Sequence, residues 1–340
     1  MKDKKKTTVT VHDIAHAIDI SASTVSRALN NHPKISQKTK EKVWSAAKKL
    51  GYQPNIPAYM NRDSSKTICF MVPEINNAFY LDAIERVQEY VLKKGYNFYL
   101  AYTNNSFDIE KTYVQSIINL NVEGVIVALF DKSADISHLN SFLAHKIPTV
   151  FINKTDQVVN ATQIILDIAH GTYKATKHLL SMACKNILLF TGNRQNPLYS
   201  DMVDGFRSAI SDAGGEYSNQ QVFSESLTQR IVNDHLSELL KQSKLPDGII
   251  TPNTQMGTQI ISWLNNNKLQ VPKDVLLVSF ESNNNNFCSM AAISAVQFSG
   301  SKTGKTAAKR LFEQIEKKKI KKETIIIPGK FIIKGSSMRF

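Results

Sequence analysis

From residue 66 onward, short apolar runs rich in Val, Ile and Phe alternate with longer amphipathic stretches. The runs at 68–72, 98–101, 124–128, 149–152, 186–190, 248–251 and 275–280 have strand length and little internal alternation. Such runs suit strands covered on both faces. Helical periodicity lies between them, near 80–94 with Leu81, Ile84, Val87 and Val91 inward, and near 108–120, 168–182, 200–213, 228–242, 255–267 and 299–318. This βαβ rhythm predicts an α/β fold built on parallel sheets. The two halves also echo each other: KTICFMVP at Lys66 with KNILLFTG at Lys185, and VEGVIVAL at Val122 with PDGIITPN at Pro246, each pair about 120 residues apart. A roughly constant offset predicts two similarly folded lobes.

The first sixty residues read differently. Thr10 is placed to cap a helix through Ile18, with Ile14, Ala15 and Ile18 on one side. Asp19 falls in a tight turn, where Asp tolerates left-handed backbone. Ser21 can open a second helix to about Asn30, with Val25 and Leu29 inward beside Ile20, and Ser36 or Thr39 a third, with Val43, Ala46, Ala47 and Leu50 inward and Gly51 as its stop. Two helices joined by so short a turn, completed by a third, form a helix-turn-helix.

Charge supports the same reading. The chain of 340 residues carries a formal +13, and residues 1–61 hold eleven Lys or Arg against four acids, a local +7. A basic three-helix module fits a polyanionic partner. The second helix offers Ala22, Ser23, Ser26 and Arg27 on the side away from Val25 and Leu29. Ala22 suits a thymine methyl, Ser23 a base edge, and Arg27 a guanine or a phosphate. Thr10, Ser36, Thr39 and Lys42 are candidates for phosphate contacts. The cluster Lys317, Lys318, Lys319, Lys321 and Lys322 has no comparable pattern around it and reads as a solvated helix end.

Residues 8–55 resemble the DNA-binding headpiece of the LacI/GalR family of bacterial transcription repressors. The resemblance rests on Asp13-Ile14-Ala15, Thr24-Val25-Ser26-Arg27, Asn30, Ser36, Thr39, Leu50-Gly51-Tyr52 and Pro54-Asn55. Asp19 stands where the family usually has Gly. The remainder is similar to the family's two-lobed, periplasmic-binding-protein-like core. The resemblance implies a headpiece over 1–53, a hinge over 54–65, an N-terminal lobe from 66–164 with 295–324, and a C-terminal lobe from 165–294 with 325–340. Crossings between the lobes are expected near Ile164, Ser294 and Ile325.

The hinge PNIPAYMNRDSS is a linker by its prolines and polar end. The resemblance implies that it folds in the minor groove, where a Leu from each subunit wedges between bases. Ala58 matches the family pattern, while Asn61 occupies the Leu position and Met60 is the nearest apolar substitute. With Ser21 and Asn55, these residues complete the expected DNA-binding set.

Ligands of parallel α/β folds bind beyond the carboxyl ends of the strands. Residues following the strands are Asn76, Asn77, Phe79 and Tyr80, then Asn153 and Lys154, Phe223, Asn253, Glu281 and Gln297. Their amides read either as ligand contacts or as caps and bridges. The resemblance implies that Asn153 and Glu281 replace effector-contacting Asp residues, that Asn253 keeps the family's Asn, and that Phe223 matches an aromatic contact. It also implies that Met202, in Met202-Val203-Asp204-Gly205-Phe206, replaces an effector-binding Arg. Losing that multi-donor fork favours a neutral polyol or sugar over an anion.

No dinucleotide fingerprint, phosphate loop, nucleophile elbow or zinc-protease motif is present. The cysteines Cys69, Cys184 and Cys288 match no metal spacing, and no cofactor is expected. No apolar run has membrane-spanning length, and none after Lys4-Lys5-Lys6 suits a signal peptide. The expectation is a cytoplasmic, non-enzymatic repressor. Its expected partners are partly palindromic operator DNA, a small polar effector such as a sugar, and a second copy of the chain, with a dimer preferred over a tetramer.

Overall fold

In the computed structural model, described residues are 9–29, 32, 34–50, 52, 66–129, 136–153, 161–192, 196–218, 221–281, 292–317 and 322–339, with Lys48 and Glu281 described by backbone alone. The chain divides into two compact units, a small one of residues 1–66 with 119–122 and a large one carrying both sheets.

The small unit has three helices, α1 (Val11–Ile18), α2 (Ala22–Leu29) and α3 (Gln37–Leu50). Thr10 caps α1 reciprocally: its hydroxyl accepts from the Asp13 N–H at 3.4 Å, and Asp13 Oδ2 accepts from the Thr10 N–H at 2.7 Å. Asp19 closes the helix at φ 53°, in the left-handed region the turn requires. Ser21 Oγ accepts from the Thr24 N–H at 3.1 Å, and Ser36 Oγ from the Thr39 N–H at 3.2 Å, so both hydroxyls open helices. Ile14, Ala15, Val25, Ala28, Val43, Ala46 and Ala47 form the core. Leu50, expected inward, is 39% exposed. Tyr52, whose N–H returns to the Ala47 carbonyl at 2.9 Å, packs on the cluster at that end instead.

The large unit holds two six-stranded sheets. The first contains β1 (Thr67–Val72), β2 (Asn97–Tyr102), β3 (Gly124–Ala128), β4 (Thr149–Ile152), β5 (Thr162–Leu166) and β11 (Glu323–Ile327), ordered β2-β1-β3-β4-β5-β11 and parallel throughout. The second contains β6 (Ile187–Phe190), β7 (Val222–Phe223), β8 (Gly248–Thr251), β9 (Leu276–Glu281), β10 (Ser294–Gln297) and β12 (Lys330–Ile332), ordered β7-β6-β8-β9-β10-β12. Only β12 is antiparallel to its neighbour among these described pairs. The orders superimpose β1 on β6 and β3 on β8, the two pairs whose sequences echo each other.

The helices are α4 (Ala78–Lys93), α5 (Phe107–Asn119), α6 (Asn140–Ala144), α7 (Ile168–Ser181), α8 (Pro197–Asp212), α9 (Gln229–Lys241), α10 (Thr254–Asn266) and α11 (Gly300–Lys317). On α4 the buried stripe is Phe79, Ala83, Val87 and Val91, whereas Leu81 is 48% exposed and Ile84 only partly buried. The i, i+4 row wins because α4 lies against α11, where Gly300 and Gly304 let the backbone at Phe79 and Ala83 approach closely. The lobe crossings also shift from expectation. β5 and β11 pair to their ends within the first sheet, up to Leu166↔Ile327, and β10 pairs with β9 up to Gln297↔Glu281. The chain therefore changes sheet after Leu166, Gln297 and Ile327, a few residues beyond each expected point. Residues 295–297 accordingly belong with the second sheet rather than the first.

Candidate DNA-reading face and effector cleft

In the headpiece, burial of Val25 and Ala28 turns the opposite side of α2 to solvent. Ser21, Ser23, Ser26 and Arg27 are exposed there, while Ala22 is half-buried and packs on the core. Ser21 Oγ also lies 2.9 Å from Ser23 Oγ and 2.7 Å from Thr24 Oγ1, so the helix opens on a linked row of hydroxyls. Thr10, Ser36 and Lys42 are exposed and Thr39 is half-buried. Lys42 Nζ donates to the Ile18 carbonyl at 3.4 Å, placing a cation at the carboxyl end of α1, where the helix dipole favours it. Thr10 lowers the Asp13 carboxyl from its ordinary value of 3.8, its side-chain hydrogen bond acting first and its backbone N–H second. Asn30, Asn55, Ala58, Met60 and Asn61 lie outside the described residues.

At the carboxyl ends of the strands, the amides largely serve the backbone. Asn77 caps α4, accepting from the Phe79 N–H at 2.9 Å and donating to Glu74 Oε1 at 2.9 Å. Asn253 caps α10, accepting from the Met256 N–H at 2.8 Å. Asn76 is exposed after β1. Asn153 follows β4 at φ 79° and is half-buried, its N–H bonded to the Ile164 carbonyl at 2.9 Å. Gln297 stands beside Glu281 across β9 and β10, both at the carboxyl edge. Lys154 and the side chain of Glu281 lie outside what the structure describes.

The aromatic candidates separate. Phe79 packs into a cluster with Met202, Phe280, Val296 and Phe298, joining a helix of the first lobe to strands of the second. Tyr80 meets it edge-on, with centroids 5.4 Å apart. Met202 is fully buried in that cluster and has a packing role, presenting no polar group. Phe223 belongs to a different cluster, with Phe190, Met256 and Ile260. Phe79 and Phe223 therefore pack into separate clusters. Sequence reasoning missed two features here. Thr251 Oγ1 donates to Ser279 Oγ at 3.0 Å, bridging β8 and β9 in a buried polar contact. His235 on α9 packs against Phe223 with centroids 4.4 Å apart and the rings tilted by 34°. Burial pushes the His235 pKa below its ordinary value, against weaker upward pulls from Glu238 and Glu225. Its one sequence signal was its place beside Leu236 on an amphipathic helix.

Comparison with known proteins covers both units. Residues 10–55 match the family described as bacterial regulatory proteins, lacI family. Residues 65–335 match periplasmic binding proteins and sugar binding domain of LacI family. The chain is 25% identical over 336 residues to the HTH-type transcriptional regulator DegA of Bacillus subtilis (strain 168), covering 96% of this chain and 98% of that protein. Its fold is similar to that of the lac repressor dimer bound to operator and the anti-inducer ONPF, with TM-score 0.72 and 19% identity, covering 98% of this chain and 100% of that one. It is also similar to the transcriptional regulator CelR in complex with cellobiose, with TM-score 0.71 and 21% identity, covering 96% and 99% of the two chains. With a helix-turn-helix headpiece joined to two lobes of the sugar-binding type, the chain belongs to the LacI family of bacterial transcriptional regulators.

Proposed function

We propose that this regulator is a repressor that binds a partly palindromic operator as a homodimer and is controlled by a neutral carbohydrate or a related small polar metabolite held between its lobes. The observation that carries the DNA-binding half is the exposed row of Ser21, just before α2, and Ser23, Ser26 and Arg27 on it, with α2 capped by Ser21 and α3 by Ser36. A helix so presented can enter the major groove with short polar side chains at its start and a guanidinium one turn on. A single headpiece offers little contact area, so two copies on half-sites one helical turn apart gain affinity through linkage. The operator-bound dimer of the lac repressor supports this arrangement.

The effector half is supported by the cellobiose held by CelR and by an uncharged Met202 at the place of the family's Arg. Regulation requires the ligand to favour one lobe arrangement over another. Induction, in which the ligand releases operator, is the preferred direction. Selection from random duplexes by the full chain, repeated with a panel of neutral sugars, tests the whole reading. A partly palindromic consensus whose binding a sugar weakens supports it. Equal affinity for many unrelated duplexes at moderate salt would sink the operator half. Sugars that fail to bind at millimolar concentration, or bind without changing operator affinity, would sink the effector half.

A further inference from the structure

The second sheet ends in an edge strand of only two residues, Val222 and Phe223, paired with Leu189 and Phe190 of β6. The Phe223 carbonyl accepts from the Thr191 N–H at 2.8 Å and from its hydroxyl at 3.4 Å, so β6 holds the backbone. The ring is held by two others. Phe190 lies 5.3 Å away, tilted by 56°, and His235 lies 4.4 Å away, tilted by 34°. His235 also meets Phe190 edge-on at 6.5 Å. The imidazole is thus the closest ring to Phe223 and the only titratable one of the three.

We propose that His235 is a positioning residue for Phe223, holding its ring at the carboxyl end of β7 while neutral and loosening it on taking up a proton. The proposal rests on the reading of Phe223 as a cleft residue only for its functional consequence. The physical basis is a competition. A neutral imidazole packs against Phe223 as an aromatic ring, in the tilted contact seen here. An imidazolium gains attraction to the ring faces, but it must be hydrated, and the half-buried site opposes that. The charged groups around it are Glu238, one turn on along α9, and Glu225, just after β7. Both attract the cation, and Glu225 is exposed, which draws a protonated ring outward. Asp234, the preceding residue, is paired with Arg230 at 3.8 Å. The cluster that Phe223 belongs to, with Phe190, Val232, Leu236, Met256 and Ile260, is apolar. Desolvation exceeds the pull of the two carboxylates, so the neutral form packed against Phe223 is the favoured one.

The test is a pH titration of the free, full chain by NMR. The His235 ring is assigned by comparison with His235→Gln, and the Phe223 ring by comparison with Phe223→Leu. The expected result is a His235 midpoint below the ordinary 6.5, with Phe223 ring signals moving along the same curve. In His235→Gln that movement should vanish. In His235→Phe, which keeps a ring in place, the Phe223 signals should stay near their high-pH positions throughout. Phe223 signals that ignore the His235 titration, or that titrate equally in His235→Gln, would overturn the proposal, as would a midpoint at or above 6.5. If His235→Gln does not fold, His235→Phe and the wild-type titration decide the question. Because no effector is added, a failed effector screen leaves this result standing, and a failed titration leaves the effector reading standing.

Discussion

A Cβ on Gly205 would stand 2.0 Å from the carbonyl oxygen of Ala169, on the neighbouring helix α7. Gly300 has the same relation to the Phe79 carbonyl in the first lobe, also at 2.0 Å. Each lobe thus crosses one helix pair at a glycine, with backbone rather than a yielding side chain on the other side. Gly205→Ala should force α7 and α8 apart and destabilise the core by about 1–3 kcal/mol or more, the range for overpacking. Thermal and denaturant unfolding of the full chain measure it. An unchanged midpoint would show that the helices can separate without penalty.

Arg27 and Lys42 should behave differently. Arg27→Ala is expected to cost about 1–3 kcal/mol in operator binding and to relax preference at one base position, if the guanidinium forks onto a guanine. Lys42→Ala should weaken binding by a similar factor on every duplex, as loss of a phosphate contact does. Selection of random duplexes by each variant separates the two, and an unchanged consensus for Arg27→Ala would remove base reading from that residue.

The cap on α1 carries a pH dependence of definite sign. The Asp13 carboxyl titrates below its ordinary 3.8 in the folded headpiece. Its contribution is therefore present above that ordinary value and is lost as the pH falls through the lowered one. Amide signals of α1 should weaken on acidification through this window, and Asp13→Asn should flatten the dependence. Independently, Thr10→Ala should cost about 0.5–2 kcal/mol of headpiece stability through the lost cap.

Operator affinity should fall steeply with salt, since phosphate neutralisation releases counterions in proportion to the contacts made. Titrations at several ionic strengths give the slope. A slope near zero would contradict a basic headpiece tracking a phosphate backbone.

A sugar that binds the core should lose affinity in Glu281→Gln and in Phe223→Leu, with the far-ultraviolet spectrum of the core retained. Calorimetry on the wild type and both variants reads this. Equal affinity in all three would move the ligand away from the ends of β7 and β9.

Much of this chain was legible locally. Thr10, Ser21 and Ser36 act within three residues of themselves, so their capping could be read from spacing alone. Asp19 had to be left-handed because two helices must reverse within a few residues. The strands were legible where burial on both faces made them continuously apolar, as in β1, β3, β6 and β8, and their repeat at a constant offset announced two lobes. The strands β5, β10, β11 and β12 were not, because polar residues such as Thr162, Gln297, Glu323 and Lys330 interrupt their apolar pattern. Pairing across distant parts of the chain makes them strands. The same is true of the site. That Asn77 and Asn253 follow strands was plain, but whether an amide caps its own helix or faces a ligand depends on backbone direction. Phe79 and Phe223 are both aromatic residues after strands in the sequence. Only tertiary packing sends one into the cluster that joins the lobes and the other onto His235, because which ring covers which is set by neighbours far away in the chain.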